Sequence, residues 1–154
     1  QIKQVKIPYR PGSGTSTTIN SGASGLSCKI FLLSATEVGY TKANVNSYIP
    51  NGEGAKLDYF QNGNGTSEKI AYLNGSATGW WLRSPRLHGS TNAWSCYSSG
   101  YAGGGGCTNT WGVRPALMDN ARPSRQTPNA APRQSKEVIS RPSPARGVRI
   151  NTWR

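Results

Sequence analysis

Short apolar runs alternate with glycine, proline and small polar residues along the chain, and each run predicts one short element. Residues 1–7 contain an alternating run that fits a short strand, which prolines and glycines then end. Residues 29–33 (KIFLL) form a continuous apolar run that predicts a buried strand. Residues 34–37 (SATE) have the spacing of a capping box, so they predict a helix of one or two turns that Gly39 ends.

The middle of the chain predicts two more short elements. Residues 54–60 place Leu57 and Phe60 on one face and predict a second short helix. Residues 68–73 form a third short segment, helical or extended. The first half of the folded part is therefore expected to carry short helices.

From residue 79 onwards aromatic residues and glycine dominate the pattern. Residues 80–85 (WWLRSP) predict an aromatic strand that proline ends. Residues 92–97 alternate and then meet Ser-Ser-Gly, which indicates a hairpin. The glycines 103–106 predict a loop, residues 107–111 a short strand, and residues 112–117 the closing segment. The whole pattern predicts an α+β fold, with short helices first and a small antiparallel sheet after them.

Composition excludes several classes of protein. Only 34% of the 154 residues are apolar and 16% are charged, so Gly, Ser, Thr, Asn and Pro make up the bulk. A helical bundle or coiled coil would need far more Ala, Leu, Glu and Lys. No stretch approaches the roughly 20 apolar residues of a membrane-spanning helix, so no membrane insertion is expected.

Charge and proline divide the chain into a domain, residues 1–117, and a basic tail, residues 118–154. The chain carries 18 Lys and Arg against 6 Asp and Glu. The tail holds eight of those basic residues and five of the ten prolines, so it is predicted to be disordered. Nucleic-acid binding through this tail is an alternative function. Its arginines lie several residues apart between prolines and no recognition module accompanies them, so nucleic acid is not the favoured partner.

Residues that carry catalytic or metal chemistry are sparse. His88 is the only histidine and lies in a polar segment, which leaves no basis for a metal site or a histidine-based triad. The four carboxylates before residue 118 are scattered, and the capping box already explains Glu37. We therefore predict a protein that is not an enzyme, with no metal and no cofactor.

Arginine and cysteine leave alternatives. Arg83 and Arg114 each adjoin an apolar strand position; the favoured interpretation is burial with hydrogen bonds to loop carbonyls or to Glu37. The other interpretation makes them anchors for an anionic ligand. Cys96 and Cys107 flank the glycine run, so a disulfide between them is geometrically feasible in an oxidising compartment. The alternative is three small buried or half-buried thiols.

Three motifs occur in order: residues 30–39 (IFLLSATEVG), residues 80–85 (WWLRSP) and residues 112–117 (GVRPAL). With them, the chain resembles a domain family of Firmicutes and their phages over about residues 5–117. That family is similar in turn to the C-type lectin fold, as in formylglycine-generating-enzyme-like domains and the variable receptor-binding proteins of diversity-generating retroelements. The resemblance implies a C-type-lectin-like α+β domain, although the calcium-ligand motifs of the calcium-dependent lectins do not occur in this sequence.

The resemblance also implies where a ligand binds, because in those relatives the segment before the closing strand forms the exposed binding surface. Here that segment is residues 92–111, rich in Tyr, Trp, Ser, Gly and Asn, a composition that binding loops favour. Aromatic faces also stack on sugar rings. The predicted ligand-binding residues are Trp94, Tyr97, Tyr101, Asn109 and Trp111.

Together these observations predict a non-catalytic recognition module of a phage tail, receptor-binding or bacterial surface protein, with a cell-surface glycan or protein as its partner. A virion or an extracellular, cell-surface location follows from that prediction. A purely structural virion or cell-wall domain, whose aromatic residues only pack, is the alternative. A homo-oligomer and a module of a longer parent chain both fit the sequence.

Overall fold

The computed structural model of the protein describes residues 1–11, 17–87, 89 and 91–119. The predicted disorder of the tail, and with it the nucleic-acid alternative, lies outside the described residues from residue 120 onwards. Ten strands and two 3₁₀ turns follow one another in the described part. The strands are β1 (Ile2–Lys3), β2 (Val5–Ile7), β3 (Leu26–Cys28), β4 (Ile30–Leu32), β5 (Ala71–Leu73), β6 (Ser76–Thr78), β7 (Trp80–Pro85), β8 (Asn92–Cys96), β9 (Ala102–Gly106) and β10 (Pro115–Asp119), and the 3₁₀ turns are Gly22–Ser24 and Ser67–Lys69.

Four small antiparallel sheets make up the described part of the chain. Strands β1, β10 and β4 form one three-stranded sheet in that order, and β7, β8 and β9 form the other. Strands β2 and β3 pair with each other, and so do β5 and β6. The edge of β7 that does not pair with β8 bonds to residues that adjoin the β1–β10–β4 sheet. Arg83 N donates to Leu33 O and Trp81 N donates to Gly112 O, each at 3.0 Å. Strand β7 therefore connects the two larger sheets.

The described residues contain no α-helix, so the predicted α+β, C-type-lectin-like fold class is wrong and the fold is nearly all β. The capping box does form, since Ser34 N donates to Glu37 Oε2 at 3.0 Å and Glu37 N to Ser34 Oγ at 3.1 Å. Gly39 then adopts φ +81°, and Tyr40 N bonds back to Ala35 O at 2.9 Å. This pattern is a helix C-cap placed one turn after the N-cap, so the helix ends as soon as it begins.

Glycine and long-range backbone bonds also replace the other predicted helices. Gly54 has φ +110°, and Leu57 N donates to Glu37 O at 2.9 Å instead of to a carbonyl one turn earlier. Residues 54–60 are therefore irregular, with a turn at their end. Residues 68–73 hold the end of the second 3₁₀ turn and then strand β5.

Several strand predictions have clear outcomes. The strands predicted at residues 80–85 and 92–97 are confirmed by β7 and β8. The glycines 103–106 form strand β9 instead of a loop, because they pair in register with β8. Residues 107–111 are turn and coil, not strand. The strand predicted near Ile30 exists as β4, but it is not buried, since Ile30 is 59% exposed.

The core packs against the inner face of the β7–β8–β9 sheet. Trp80 and Leu82 of β7 lie in it, as do Trp94 and Cys96 of β8. The rest of this buried cluster comes from the segments before and after the sheet: Leu33, Ala35, Val38, Tyr40, Ile49, Phe60 and Ala116. Removing these large apolar side chains from water is the main favourable contribution to folding.

An ion pair fixes the turn that carries Glu37 to strand β7. The Arg83 guanidinium donates to both oxygens of Glu37, at 2.6 Å each. Its other N–H groups donate to the carbonyls of Pro8, Leu32 and Glu53. The favoured interpretation of Arg83 is therefore confirmed, and all five N–H donors of this side chain are used inside the fold.

Arg114 is buried in the same way but among aromatic rings. Its guanidinium carbon lies 5.0 Å from the centroid of the Trp80 ring, 5.5 Å from that of Phe60 and 6.0 Å from that of Tyr59. Nη1 donates to the carbonyl of Glu68 at 3.4 Å, the kind of loop bond that the sequence predicts. Arg114 therefore contributes to the core through cation–π contacts.

Candidate ligand-binding surface

Trp80 and Trp81 are consecutive residues of β7, so their side chains project to opposite faces of the sheet. Trp80 enters the core, and Trp81 lies half-buried on the outer face. Trp111 stacks on Trp81 with ring centroids 4.7 Å apart and planes inclined at 32°. Tyr97 meets Trp111 edge to face, with centroids 5.5 Å apart. The rings of Trp81, Trp111 and Tyr97 and the neighbouring Asn109 together form a patch that we call the ring surface.

Glycines of strand β9 lie directly beneath the ring surface. A Cβ at Gly103 would overlap the Tyr97 ring, and one at Gly105 would lie 2.9 Å from Trp111 and 3.1 Å from the Asn109 amide nitrogen. Neither glycine has a positive φ. Both positions therefore need glycine because a side chain would clash with the rings, and not because of the backbone conformation. The rings therefore lie against the bare backbone of β9.

The turn between β8 and β9 positions Tyr97. Gly100 N donates to Tyr97 O at 2.9 Å, and Tyr97 N donates to Tyr101 O at 2.8 Å. Gly100 has φ +79°, which fits a type I turn followed by a bulge. The hairpin predicted from Ser-Ser-Gly is therefore confirmed, and it leaves Tyr97 42% exposed.

The structure places the predicted ligand residues in three locations. Trp94 is 2% exposed and its indole N–H donates to Tyr48 O at 3.2 Å, so it is a core residue. Tyr101 is 51% exposed, but its ring covers Gly65 in a different loop. The remaining three predicted residues lie together on the ring surface: Tyr97, Asn109 and Trp111.

Trp81 belongs to the ring surface and was missing from the predicted set. A signal for it exists in the sequence, because two consecutive tryptophans on a strand face opposite ways. Alternation alone leaves open which of them is outside and what it contacts there. Only the stacking on Trp111, 30 residues later in the chain, assigns Trp81 to the site.

Glu53 is fully buried beside the ion pair of Arg83. Its Oε1 accepts a hydrogen bond from Arg10 N at 3.2 Å, and its Oε2 accepts one from the Ser84 hydroxyl. Burial raises the pKa of Glu53 above its ordinary value, although these bonds and the nearby arginines act against the rise. This carboxyl holds the loop around residue 53 to β7 and does not face the ring surface.

Glu68 is held by a different set of bonds. Its Oε1 accepts from the Thr66 hydroxyl at 2.5 Å, from Gln61 N at 2.9 Å and from Lys69 Nζ at 3.3 Å. Burial alone would raise the pKa of Glu68, but the hydrogen bonds outweigh it and lower the pKa to about 2. Glu68 therefore orders the loop on which Tyr101 rests.

The three cysteines are free. The β8–β9 register pairs Cys96 with Ala102 near the turn, whereas Cys107 follows Gly106 at the opposite end of the hairpin, so the disulfide between them does not form. Cys96 is buried, and the Tyr40 hydroxyl lies 3.1 Å from its Sγ. Burial raises the pKa of the Cys96 thiol, which keeps it protonated.

Two further features are absent from the described residues. No cluster of three or more His, Cys, Asp or Glu side chains that could hold a metal ion occurs among them. None of their helical segments is long and apolar enough to span a membrane.

The described fold is thus a small, nearly all-β domain with an aromatic surface on the outer face of one sheet. The chain belongs to the family described as Domain of unknown function (DUF6273), which it matches over residues 1–118. No curated protein and no solved structure matches the chain significantly.

Proposed function

We propose that this protein is a non-catalytic recognition module that binds a cell-surface glycan through the ring surface. The observation that carries the proposal is the contiguous stack of Trp81, Trp111 and Tyr97, accessible on one side and bordered by the exposed Asn109. Aromatic faces pack against the apolar faces of sugar rings. A carboxamide offers a donor and an acceptor to sugar hydroxyls, so the ring surface combines the two kinds of contact that a glycan needs.

The ring surface is also ordered by contacts inside the protein. Trp111 is fixed between Trp81 and Tyr97, and the backbone of Gly105 lies beneath it. Rigid aromatic side chains lose little conformational entropy on binding, so most of their contact area contributes to affinity. This pre-ordering supports the proposal, because little conformational freedom remains to be lost when a ligand binds.

The reactive groups of the described part support a role without catalysis. Glu37 is bound to Arg83, Glu53 to Ser84, and the Cys96 thiol is buried against Tyr40. None of these groups belongs to the ring surface. We place the module on a phage tail or bacterial surface protein, at the virion or cell exterior, as one copy of a homo-oligomer or one part of a longer chain.

A glycan array with the purified chain, followed by calorimetry on the best ligand, tests the proposal. We expect Trp111→Ala and Tyr97→Ala each to weaken binding about thirtyfold, because truncating a central aromatic contact costs about 2 kcal/mol. Tyr72→Ala removes another exposed tyrosine, on β5, and is expected to leave affinity unchanged. Thermal melts of all variants show whether each one folds.

Unchanged glycan affinity in both ring-surface variants, with melting temperatures like the parent, would contradict the proposal. Loss of folding in both variants would favour the structural alternative, in which the rings only pack. Tyr101→Ala measures how far the binding site extends. Weaker binding in this variant would mean that the ligand also reaches the loop of Gly65.

A further inference from the structure

Arg86 directly follows β7, and packing holds its side chain in place. Its guanidinium carbon lies 5.4 Å from the centroid of the Tyr48 ring and 5.8 Å from that of the Trp94 ring. The backbone of Gly104 lies on another side, where a Cβ would come within 2.8 Å of Arg86 Cδ. Two aromatic rings and a bare segment of strand therefore restrict this cation to one position.

The hydrogen-bonding groups of the Arg86 guanidinium are unused inside the described part of the chain. The guanidinium makes no hydrogen bond or ion pair with any described residue. Arg83, on the same stretch of chain, uses all five of its donors within the fold. Arg86 is half-buried, but none of its nitrogens is among the fully buried side-chain atoms without a partner, so its donors remain accessible to a ligand.

A cavity of about 210 Å³ lies beside this guanidinium, lined by Tyr48, Arg86, Leu87, Gly89 and Asn92. Asn92 Oδ1 accepts a hydrogen bond from the Thr91 hydroxyl at 3.2 Å, whereas the Asn92 amide nitrogen donates to no described residue. The described lining therefore contains a cation and a free amide donor but no carboxylate. Its volume is several times that of one water molecule, about 30 Å³, and suits a small charged group.

We propose that this cavity is an oxyanion-binding site, in which Arg86 and Asn92 donate hydrogen bonds to a carboxylate or phosphate group. The planar guanidinium fork matches both kinds of oxyanion with two parallel bonds, and such charge-assisted bonds are about twice as strong as neutral ones. The site is separate from the ring surface, because Gly104 faces Arg86 whereas Gly103 and Gly105 carry the rings on the other face of β9. It therefore does not depend on the glycan proposal.

Titration of the isotope-labelled full chain, followed by nuclear magnetic resonance, tests this site with four probes: D-glucuronate, acetate, inorganic phosphate and neutral D-glucose. We expect saturable shifts at the side-chain signals of Arg86 and Asn92 with at least one anion and none with glucose. Tighter binding of glucuronate than of acetate would assign the carboxylate to a sugar, and tighter binding of phosphate would assign the site to a phosphoryl group. Either result supports the site.

Substitutions then test the role of the guanidinium. Arg86→Gln is expected to weaken anion binding at least about tenfold, and Arg86→Lys also weakens it because lysine lacks the two-pronged donor. Lys29→Gln removes the same charge from an exposed position elsewhere and is expected to change affinity by less than about twofold. Asn92→Ala leaves the cation in place and is expected to weaken binding severalfold, which keeps the test decisive if Arg86→Gln melts early. No saturable shift with any anion, or equal affinity in all these variants, would overturn the proposal.

Discussion

Two adjacent tryptophans of one strand, with identical chemistry, occupy opposite environments. Trp80 is 1% exposed, its indole N–H donates to Lys69 O at 2.8 Å, and Arg114 covers its ring. Trp81 lies half-buried on the outer face and contacts Trp111 through ring stacking. The difference shows that strand alternation placed one side chain in the core and left the other partly exposed on the outer face.

The two faces of the β7–β8–β9 sheet differ in the same way beyond this pair. On the inner face, Trp80 is opposite Cys96, which is opposite Ala102, and larger core side chains fill the remaining space. On the outer face, Trp81 is opposite Ser95, which is opposite Gly103. Small residues therefore leave room on the outer face for rings that arrive from another part of the chain.

The largest expected effect comes from exchanging the two tryptophans for alanine in turn. Trp80→Ala opens a cavity in the core and removes the indole donor to Lys69 O, which keeps only the weaker Cys96 thiol at 3.3 Å, so we expect a loss of about 3–5 kcal/mol in the free energy of unfolding. Trp81→Ala removes a half-buried ring and should cost about 1–2 kcal/mol. Urea unfolding of both variants measures the difference. Equal losses would mean that the outer face is as much a core as the inner face.

A smaller effect is expected from adding a methyl group to the glycine strand beneath the ring surface. Gly103→Ala puts a methyl group where the Tyr97 ring lies, so we expect about 1–2 kcal/mol of destabilisation together with weaker glycan binding. Gly106→Ala, on the same strand, has its nearest neighbour at 3.6 Å, an ordinary contact, and is expected to stay within about 0.5 kcal/mol of the parent. Thermal melts and the binding assay compare the two. A Gly103→Ala variant as stable as Gly106→Ala would show that Tyr97 does not rest on the strand.

The smallest expected effect concerns Glu68, on the loop beside Tyr101. Its folded-state pKa of about 2 lies below the ordinary value of 4.5, so the folded form favours the ionised carboxylate. This contribution to stability is complete above about pH 5 and is lost as the pH falls towards 2. We expect Glu68→Gln to reduce stability by less than about 1 kcal/mol near neutral pH and by progressively less on acidification.

Urea midpoints of the parent and Glu68→Gln across that pH range measure this dependence, with Asp58→Asn as an exposed control. Glu53 has the opposite pH dependence: because burial raises its pKa, its contribution to the free energy of unfolding becomes more favourable as the pH falls. Both proteins contain Glu53, so the difference between Glu68→Gln and the parent isolates the effect of Glu68. A stability difference for Glu68→Gln that does not change with pH would contradict the assigned hydrogen bonds.

Local patterns predicted the parts of the fold that depend on neighbouring residues. The strands at residues 80–85 and 92–97, the hairpin turn at Ser-Ser-Gly and the capping box of Ser34 and Glu37 all form. Each follows from interactions within a few residues, such as alternation along a strand or a side chain bonding a nearby backbone amide. The bidentate contact of Arg83 with Glu37 also agrees with the sequence, since a buried arginine needs a charged acceptor.

The fold class and the glycine segment could not be predicted in this way. A capping box predicts that a helix begins, but its length depends on what meets the next turn, and here Gly39 ends it against the backbone of Gln61. Four consecutive glycines have low strand propensity, yet pairing with β8 and coverage by Tyr97 and Trp111 make residues 103–106 a strand. Tertiary contacts outweighed the local preference in both places.

The local sequence pattern is sufficient to predict that aromatic residues near the end of the folded part alternate between two faces of a sheet, because the side-chain period of a strand is a local property. The same stretch of sequence supplies tyrosine, tryptophan and asparagine, from which a binding surface was predicted. The tertiary structure decided which of them share a surface. Trp94 lies in the core, Tyr101 on another loop, and Trp111 stacks on Trp81 of a distant strand. Such contacts join residues that are far apart in the chain, so residue spacing along the sequence does not predict them.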